Sequence, residues 1–337
     1  MSSSKLAELW LDSTSSQEIL LQDGSCLLQV VQRNCPAARS LLQVRKSPLP
    51  SICTSIIIPT RGRPVVLEET LRSISEQTVL PDQVIVSATA PTDLPLMSPS
   101  NLNLEVVLGP AGACIQRNAA LPRLLTGASL VFLFDDDLEL ASDYVEQMVA
   151  TFQCHSELGL LGGNLLANGG ISRLEAKELL TSHRGTSMTD LRPARALYGC
   201  NMCVRADILR RVSFDEKLKL VGWLEDFDWS VRAGEFGAIM SSNAARAVHL
   251  RVPSGRTSEY QFGYAQVINP YYLYRKGTIP QFGEVMKRHW IRLLVSNFTK
   301  LITPGQTVAR WQRLLGNIRA FRDILRGRSD PAQVELI

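Results

Sequence analysis

The chain of 337 residues lacks any run of about eighteen apolar residues, so no transmembrane helix is expected. Its first five residues lack the apolar core of a signal peptide. A disulfide framework is not expected either, because the seven cysteines are odd in number and lie among apolar residues. These absences indicate a cytoplasmic protein whose thiols are reduced.

Two further kinds of site have little support in the sequence. Cys200 and Cys203 form a Cys-x-x-Cys pair, but no second pair or His-x-His tract accompanies them, which argues against zinc. No aromatic-rich basic sheet motif is present, so nucleic-acid binding is not expected. The apolar content of 45% and the charged content of 20% are those of an ordinary globular protein. The length allows one large domain with additions, or two domains.

The net charge of +4 is unevenly distributed along the chain. Residues 281–328 contain many cations but only two acidic residues, and they also contain Trp290, Trp311 and Phe321. This basic segment predicts either contact with an anionic membrane surface or a solvated helical face packed on the main domain. Its basic residues are Lys287, Arg288, Arg292, Lys300, Arg310, Arg313, Arg319, Arg322, Arg326 and Arg328.

The hydrophobic pattern divides the chain into three parts. Residues 1–50 predict a small strand-rich appendage that ends in a Ser-Pro-Leu-Pro linker. Residues 51–250 alternate short β-branched runs with amphipathic helical segments, which predicts an α/β domain with parallel strand pairing. Residues 251–337 predict a basic helical C-terminal region.

Three consecutive aspartates, Asp135, Asp136 and Asp137, follow the apolar run 130–134, which predicts a strand buried on both faces. Carboxylates cannot stay charged in an apolar core without partners, so the triplet is expected at the end of the strand. Hard carboxylate oxygens above a parallel sheet suit Mg²⁺ or Mn²⁺ that also binds phosphate. The alternative is a solvated turn that caps the next helix.

Four segments occur in an order that resembles the family 2 glycosyltransferases. They are residues 55–61, the glycine-started helix that contains Arg117 and Asn118, residues 134–137 and residues 222–229. The resemblance covers about residues 53–250. It implies the GT-A fold, a Rossmann-like, mostly parallel sheet flanked by helices, here followed by a helical C-terminal extension. It also implies an Asp-x-Asp metal motif and an inverting mechanism.

The resemblance assigns metal and donor ligands. Asp135 and Asp137 are implied to be the outer carboxylates that bind Mn²⁺ or Mg²⁺, and Asp135 also approaches the donor. Asp136 is expected either to contact the nucleotide sugar or to turn away and hold the loop. His249 follows the acidic pair at the distance at which related enzymes place a third metal ligand. The alternative for His249 is a core histidine.

The acidic pair Glu225 and Asp226 is implied to be catalytic, with Asp226 as the general base. A base is needed to take the proton of the acceptor hydroxyl as its oxygen attacks the anomeric carbon. Trp223 and Trp229 are expected to form a wall for the sugar. The alternative is an amphipathic helix in which both tryptophans belong to the core.

Other residues are assigned to the two substrates. Pro59, Thr60 and Arg61 end the first strand, where the family cradles the nucleotide, and Arg117 is expected to contact a phosphate or lock the loop. Arg251 and Arg256 are expected either to meet the pyrophosphate or to be solvated. Asn201 is expected to line the acceptor cleft or to be scaffold. Asp93 is expected to replace a base-reading aspartate that residues 86–90 lack, which leaves the choice between uridine and thymidine open.

Together these features predict transfer of a hexosyl or deoxyhexosyl group from a UDP- or dTDP-linked donor to a hydroxyl of a carbohydrate or lipid-linked acceptor. The expected setting is synthesis of a surface polysaccharide or glycolipid, with peripheral contact at the inner face of the membrane. The alternatives are a sugar nucleotidyltransferase and a catalytically silent sugar-binding scaffold. A nucleotidyltransferase would show a glycine-rich loop with a basic residue near the first strand, and residues 59–63 do not have that pattern.

Overall fold

The computed structural model of the protein describes residues 52–185, 190–220, 222–255, 257–299 and 307–337. The predicted appendage at residues 1–50 lies outside the described residues. Ile52–Ile337 forms one compact unit, so the C-terminal region packs on the α/β part. No helix within the described ranges has both the length and the apolarity needed to cross a bilayer.

A single mixed sheet lies at the centre of the described residues. Its order is β3-β2-β1-β4-β8-β6-β9-β5, and β7 pairs with β9. The strands are β1 (Thr54–Thr60), β2 (Gln83–Ala88), β3 (Leu104–Leu108), β4 (Leu130–Phe134), β5 (Leu138–Leu140), β6 (Leu158–Asn168), β7 (Leu191–Pro193), β8 (Asn201–Arg205) and β9 (Ala238–His249).

The first half of the sheet has the parallel pairing that the sequence predicts. Strand β1 pairs with both β2 and β4, and Ile57 lies opposite Ile85 on one side and Leu133 on the other. Beyond β4 the sheet becomes mixed, because β8 runs antiparallel to β4 and to β6. Parallel strands that start from one end deliver their last residues to the same edge, which places the end of β1 beside the end of β4.

Helices cover the sheet and form the C-terminal extension, as expected. One π-helical segment, Val285–Ile291, joins α8 to α9. The α-helices of the described residues are α1 (Pro64–Ser75), α2 (Ala113–Ala120), α3 (Tyr144–Cys154), α4 (Arg173–Ser182), α5 (Ala206–Arg211), α6 (Glu225–Ala233), α7 (Glu259–Lys276), α8 (Phe282–Glu284), α9 (Arg292–Thr299) and α10 (Thr307–Leu325).

The strand residues alternate between two apolar layers. Ile56 and Ile58 pack with α1 and α3 in one layer, whereas Ile57 belongs to the other layer with residues of α7. All three isoleucines are fully buried. This explains why the sequence of β1 is continuously apolar and does not alternate between apolar and polar residues. Burial of this kind fixes the register of β1 and therefore the position of the residues that follow it.

The C-terminal region is held by close contact between α7 and α10. A Cβ atom at Gly263 would lie 2.2 Å from the Arg313 carbonyl oxygen, and one at Gly316 would lie 2.1 Å from that of Tyr260. The Asn317 amide also donates to the Gly263 carbonyl at 2.6 Å. Glycine at both positions lets the two backbones meet, which fixes the side chains that α10 turns toward the domain.

Candidate active site

A cleft of about 500 Å³ opens at the edge of the sheet where β1 and β4 end. The loop after β4, the start of α6 and the end of β9 also border it. Most of the residues that the sequence assigned to the site line this cleft together. They are Pro59, Thr60, Arg61, Arg117, Asp135, Asp137, Trp223, Glu225, Asp226 and His249.

The predicted metal ligands converge on one point of the cleft. The His249 Nε2 atom lies 3.0 Å from the Asp137 Oδ1 atom and 3.7 Å from the Asp135 Oδ2 atom. Antiparallel pairing of β5 with β9 produces this arrangement, because Leu138 lies opposite His249 and so sets Asp137 beside the imidazole. Two carboxylates and an imidazole form a donor set that suits a divalent cation such as Mn²⁺.

The histidine is oriented as a metal ligand would be. Its Nδ1 atom lies 3.0 Å from the Asn168 Oδ1 atom, which would accept a hydrogen bond from Nδ1 when Nε2, on the side of the carboxylates, binds a cation. A second partner of this kind commonly fixes the tautomer of a ligating histidine. Asn168 was not predicted, since nothing in its local sequence distinguishes it from other residues at the end of a strand.

Cys200 also lies within reach of Asp135 and His249. Burial raises the pKa of the Cys200 thiol well above its ordinary value. The thiol is therefore neutral at pH 7 in the absence of a cation, and a bound cation would act in the opposite direction.

Arg117 links Asp135, one of the predicted metal ligands, to Glu225 of the acidic pair. Its guanidinium is almost fully buried and contacts the Glu225 Oε1 atom at 2.9 Å, the Asp135 Oδ1 atom at 3.2 Å and the Gly199 carbonyl at 3.1 Å. Burial acts to lower the pKa of Arg117, but the two carboxylates raise it above its ordinary value. Arg117 also borders the cleft, so both predicted roles, contact with a phosphate and a lock on the loop, stay predictions.

Glu225 and Asp226 occupy the first turn of α6, where the helix dipole favours negative charge. Burial raises the pKa of Glu225 to about 8, with a further contribution from Asp226, although Arg117 opposes it. Burial also raises the pKa of Asp226, but here the backbone N–H groups of Gly199 and Phe227 donate to the carboxylate and oppose the shift. The two neighbouring carboxyl groups therefore differ, and Asp226 is the better suited to remain ionised.

Asp136 does not line the cleft, which corrects its assignment to the nucleotide sugar. Its side chain is fully buried, accepts a hydrogen bond from the Thr60 hydroxyl at 2.6 Å and pairs with Arg63 at 2.6 Å. Burial raises the pKa of Asp136 to about 7, against the effect of Arg63. The alternative, in which the middle aspartate holds the loop, describes these contacts.

Two other assignments are corrected by burial. Asn201 is only 2% exposed and is engaged with the Tyr144 hydroxyl and the Gly163 carbonyl, so it is scaffold and not part of the acceptor cleft. Trp229 is fully buried, stacks on Phe214 and does not form a sugar wall. Trp223 does border the cleft, packed edge-on against Phe262 at 5.3 Å between ring centroids.

Asp93 does not line the cleft either, so it is not placed to read a base. Its carboxylate accepts hydrogen bonds from the Gly62, Thr89 and Ala90 backbones and from the Thr89 hydroxyl. Burial acts to raise its pKa, but the bonds from Thr89 and Gly62 lower it below its ordinary value. Asp93 thus ties the loop after β2 to the turn after β1.

Two residues that were not predicted from the sequence, Gln116 and Arg63, bind groups at the ends of the strands. The Gln116 amide donates to the carbonyls of Thr60 at 2.8 Å and Ser87 at 2.6 Å, which joins β1 to β2. Arg63 contacts both Asp136 and Asp137. Its position just before the proline that starts α1 was a usable signal, because that helix begins at the same edge of the sheet.

Of the two arginines predicted to meet the pyrophosphate, only Arg251 lies among the described residues, and Arg256 lies outside them. Arg251 borders the cleft, is exposed and has a positive φ of 56°. Left-handed backbone at a residue other than glycine is uncommon, and here it lays the side chain over Gly169.

Comparison with known proteins finds one family model and several solved structures that are similar to this chain. Residues 55–217 match the family model described as Glycosyl transferase family 2. No curated protein matches the chain. The crystal structure of S. aureus TarS 1-349 in complex with UDP-GlcNAc is 15% identical, with 85% of this chain and 91% of that chain covered and a TM-score of 0.50.

A second TarS 1-349 structure is 16% identical with a TM-score of 0.49 and covers 82% of this chain and 83% of its own. GalNAc-T7 with UDP, GalNAc and Mn²⁺ is 13% identical over 68% of this chain and 51% of its own, with a TM-score of 0.47. The family model and the order of strands, motifs and cleft residues agree. Residues 55–217 therefore resemble glycosyl transferase family 2, and the structure has the GT-A fold.

Proposed function

We propose that this protein is a metal-dependent, inverting glycosyltransferase that moves a hexosyl or deoxyhexosyl group from a UDP- or dTDP-linked donor to a hydroxyl acceptor. One observation carries the proposal. Asp135, Asp137 and His249 converge on one point of a cleft that Asp226 also borders. A metal ligand set and a candidate base on one cleft are the two parts that such a transfer needs.

The donor's nucleotide is proposed to lie along the end of β1, against Pro59, Thr60 and Arg61. Its diphosphate would lie between Arg61, Arg251 and the cation site, where Mn²⁺ or Mg²⁺ would neutralise the charge that develops on the leaving diphosphate. Asp135, Asp137 and the Nε2 atom of His249 are the atoms that would hold that cation. Arg117 acts indirectly, because its guanidinium already contacts Asp135 and Glu225.

In the proposed reaction Asp226 takes the proton of the acceptor hydroxyl while that oxygen attacks the anomeric carbon. The bond from that carbon to the donor's diphosphate breaks on the opposite face of the sugar, so the configuration at the carbon inverts. The raised pKa of Asp226 makes its carboxylate a stronger base than an ordinary aspartate. Glu225, with a pKa of about 8, retains its proton near neutral pH and lets the single negative charge stay on Asp226.

Donor turnover tests this proposal. UDP-, dTDP- and GDP-sugars are incubated with Mn²⁺ or Mg²⁺, and nucleotide release is measured before and after the metal is chelated. We expect release from a UDP- or dTDP-sugar that disappears on chelation. Metal-independent release, or no binding of any donor, would contradict the proposal.

A substitution of Asp226, the proposed general base, tests its role in particular. Asp226→Asn is expected to lower the turnover rate by about 10³-fold, because the base is lost, and to leave UDP affinity unchanged. Glu235→Gln serves as the control, since Glu235 is exposed just after the same helix. Full turnover in Asp226→Asn would place the base elsewhere.

The C-terminal region supports the further proposal of contact with an anionic membrane surface, in surface polysaccharide or glycolipid synthesis. Five apolar side chains of α10 are exposed at helical spacing, and Arg322 and Arg326, both exposed, lie near them and complement anionic lipid. The five residues are Val308, Trp311, Leu315, Ile318 and Leu325.

Flotation with phosphatidylglycerol vesicles tests membrane contact. The double variant Trp311→Gln, Ile318→Gln is expected to lose most of its association, because apolar area is removed from the exposed face. Leu96→Gln, Leu174→Gln is the control, since both residues are exposed elsewhere. Unchanged flotation would reject the membrane, and loss of a dimer in light scattering would assign the face to a second copy.

A further inference from the structure

A second cavity, of about 580 Å³, lies next to the cleft. It is bordered by the glycines after β6 and by α7, the π-helical segment, α9 and α10. Asn168, Trp223, Arg251, Phe262 and Arg313 border both the cleft and this cavity, so the two spaces share a wall. A ligand that lies in this second space can therefore reach past Trp223 toward the cleft.

The lining of this cavity is strongly cationic, and we call it the basic cavity. No acidic residue is found among the described residues that line it. Its positive charge comes from several separate elements, which only tertiary packing brings together. The basic residues are Arg251, Arg288, His289, Arg292, Arg310 and Arg313.

The cations of the basic cavity are incompletely neutralised. Within the described ranges, neither Arg251 nor Arg292 has a carboxylate within the 4.0 Å of an ion pair. Arg288 reaches Glu284 only at 3.5 Å, and Glu284 is shared with Arg195 at 2.6 Å.

Two positive charges, those of Arg310 and Arg313, lie close together deeper in the cavity. Arg313 pairs with Glu259, but burial and the charge of Arg313 lower the pKa of Arg310 below its ordinary value. Like charges held together in this way repel one another, and a bound anion would remove that repulsion.

Polar groups in the same lining are buried without a partner. Gln266 is only 5% exposed, and its Oε1 atom has no hydrogen-bond partner in the structure. The Trp223 Nε1–H group is likewise buried and without a partner. An unpaired buried acceptor and an unpaired buried donor are costly, and a ligand that carries hydroxyl groups could satisfy both.

We propose that the basic cavity binds a phosphate group of the acceptor, so that the acceptor is a phosphorylated saccharide whose reactive hydroxyl enters the cleft past Trp223. This inference rests on the proposed transferase function and adds the chemical class of the acceptor. Arginine suits phosphate because its planar fork donates two parallel hydrogen bonds to phosphate oxygens. Gln266 and Trp223 supply an acceptor and a donor for sugar hydroxyls.

The test compares a charge-reversed cavity with a charge-reversed control. The cavity variant is Arg288→Glu, Arg292→Glu, two exposed residues of the lining whose substitution leaves the core intact. The control is Lys287→Glu, Arg275→Glu, which changes the net charge equally at exposed residues that do not line the cavity. Each protein is first saturated with Mn²⁺ and UDP, so that the donor cleft is filled.

Binding is then measured by calorimetry with inorganic phosphate, a hexose 1-phosphate and the uncharged methyl hexoside. We expect the two phosphates to bind the parent protein, to bind the cavity variant at least about tenfold more weakly and to bind the control as they bind the parent. The methyl hexoside should bind more weakly than the hexose phosphate. No phosphate binding to the UDP-saturated parent, or equal binding by the two variants, would overturn the proposal.

Two further measurements separate the outcomes. If the cavity variant loses UDP affinity together with phosphate affinity, the arginines serve the donor and the proposal fails. Competition by phosphatidylglycerol vesicles against hexose 1-phosphate would show that the phosphate comes from a lipid, and absence of competition would show a soluble or polymeric source. Metal-dependent donor hydrolysis by the parent protein tests the transferase function by itself, so failure of the acceptor proposal leaves that function standing.

Discussion

The cleft and the basic cavity share a wall, yet their arginines are used in opposite ways. In the cleft, Arg63 and Arg117 are each paired with two carboxylates at 2.6–3.3 Å. In the basic cavity, Arg251 and Arg292 have no carboxylate partner among the described residues. Paired arginines fix the positions of the carboxylates that border the cleft before any ligand arrives. Unpaired arginines leave positive charge for a ligand.

This difference predicts opposite effects of removing a cation from the two places. Loss of a cleft arginine leaves buried carboxylates without a counter-charge, which destabilises the fold. Loss of a cavity arginine removes repulsion, so the folded protein keeps or gains stability while it loses affinity for anions.

The largest effect is expected for Arg117→Met. Asp135 would lose its counter-charge and Glu225 would lose its hydrogen-bond donor, so the free energy of unfolding should fall by about 3 kcal/mol. Urea denaturation measures this change in the free energy of unfolding. Arg123→Met is the control, because Arg123 is 61% exposed and reaches Glu105 only at 3.6 Å, so its loss should cost less than about 1 kcal/mol. Equal losses of unfolding free energy in the two variants would show that Arg117 stabilises the fold no more than an exposed arginine does.

A smaller effect, which depends on pH, is expected for Glu225→Gln. Glu225 binds its proton more tightly in the folded state, so its contribution to stability is complete below its ordinary pKa and is lost as the pH rises through about 8. Glutamine does not titrate. The stability of Glu225→Gln relative to the parent should therefore rise between pH 5 and pH 8 by on the order of 2 kcal/mol. A difference that stays flat over this range, as expected for Glu235→Gln, would count against a raised pKa.

Asn168→Ala is expected to weaken Mn²⁺ binding by about tenfold, which corresponds to about 1.4 kcal/mol. The reason is that His249 loses the acceptor that holds its Nδ1 proton and fixes the ring. Calorimetric titration with Mn²⁺ measures the change. Asn101→Ala, at an exposed position away from the cleft, should bind Mn²⁺ as the parent does. Unaltered affinity in Asn168→Ala would mean that the histidine is oriented by something else.

The smallest effect concerns Arg251 and its left-handed backbone. Glycine adopts a φ of +56° without strain, whereas alanine does not, and both substitutions remove the charge. Arg251→Gly should therefore be more stable than Arg251→Ala by about 1 kcal/mol, and neither should be much less stable than the parent. Thermal denaturation of the three proteins checks this. A large loss in both variants would show that Arg251 is paired after all.

Sequence reasoning identified the cleft because the ends of parallel strands must meet. Asp135 and Asp137 could be expected at this edge, since they follow a strand whose direction the pattern gives, whereas the position of Asp226 was implied by the family resemblance. Asp136 and Asn201 could not be predicted, because the direction of their side chains depends on partners far away in the chain, namely Thr60 and Arg63 for Asp136 and Tyr144 for Asn201.

The basic cavity was harder to foresee for a related reason. The sequence shows that the C-terminal region is rich in arginine, and either a solvated face or a membrane surface explains that composition equally well. Which arginines turn inward depends on the contact of α7 with α10 at Gly263 and Gly316, and composition carries no information about that contact.

The short strand β5 links the proposed cation site to the local stability of the fold. It has only three residues, lies at the edge of the sheet and pairs with β9, so Asp137 and His249 sit on a short stretch of backbone that can fray. An ion held by both residues closes the long loop of chain between them and resists that fraying. Slower hydrogen exchange at Leu138–Leu140 would then report site occupancy without any sugar or acceptor present.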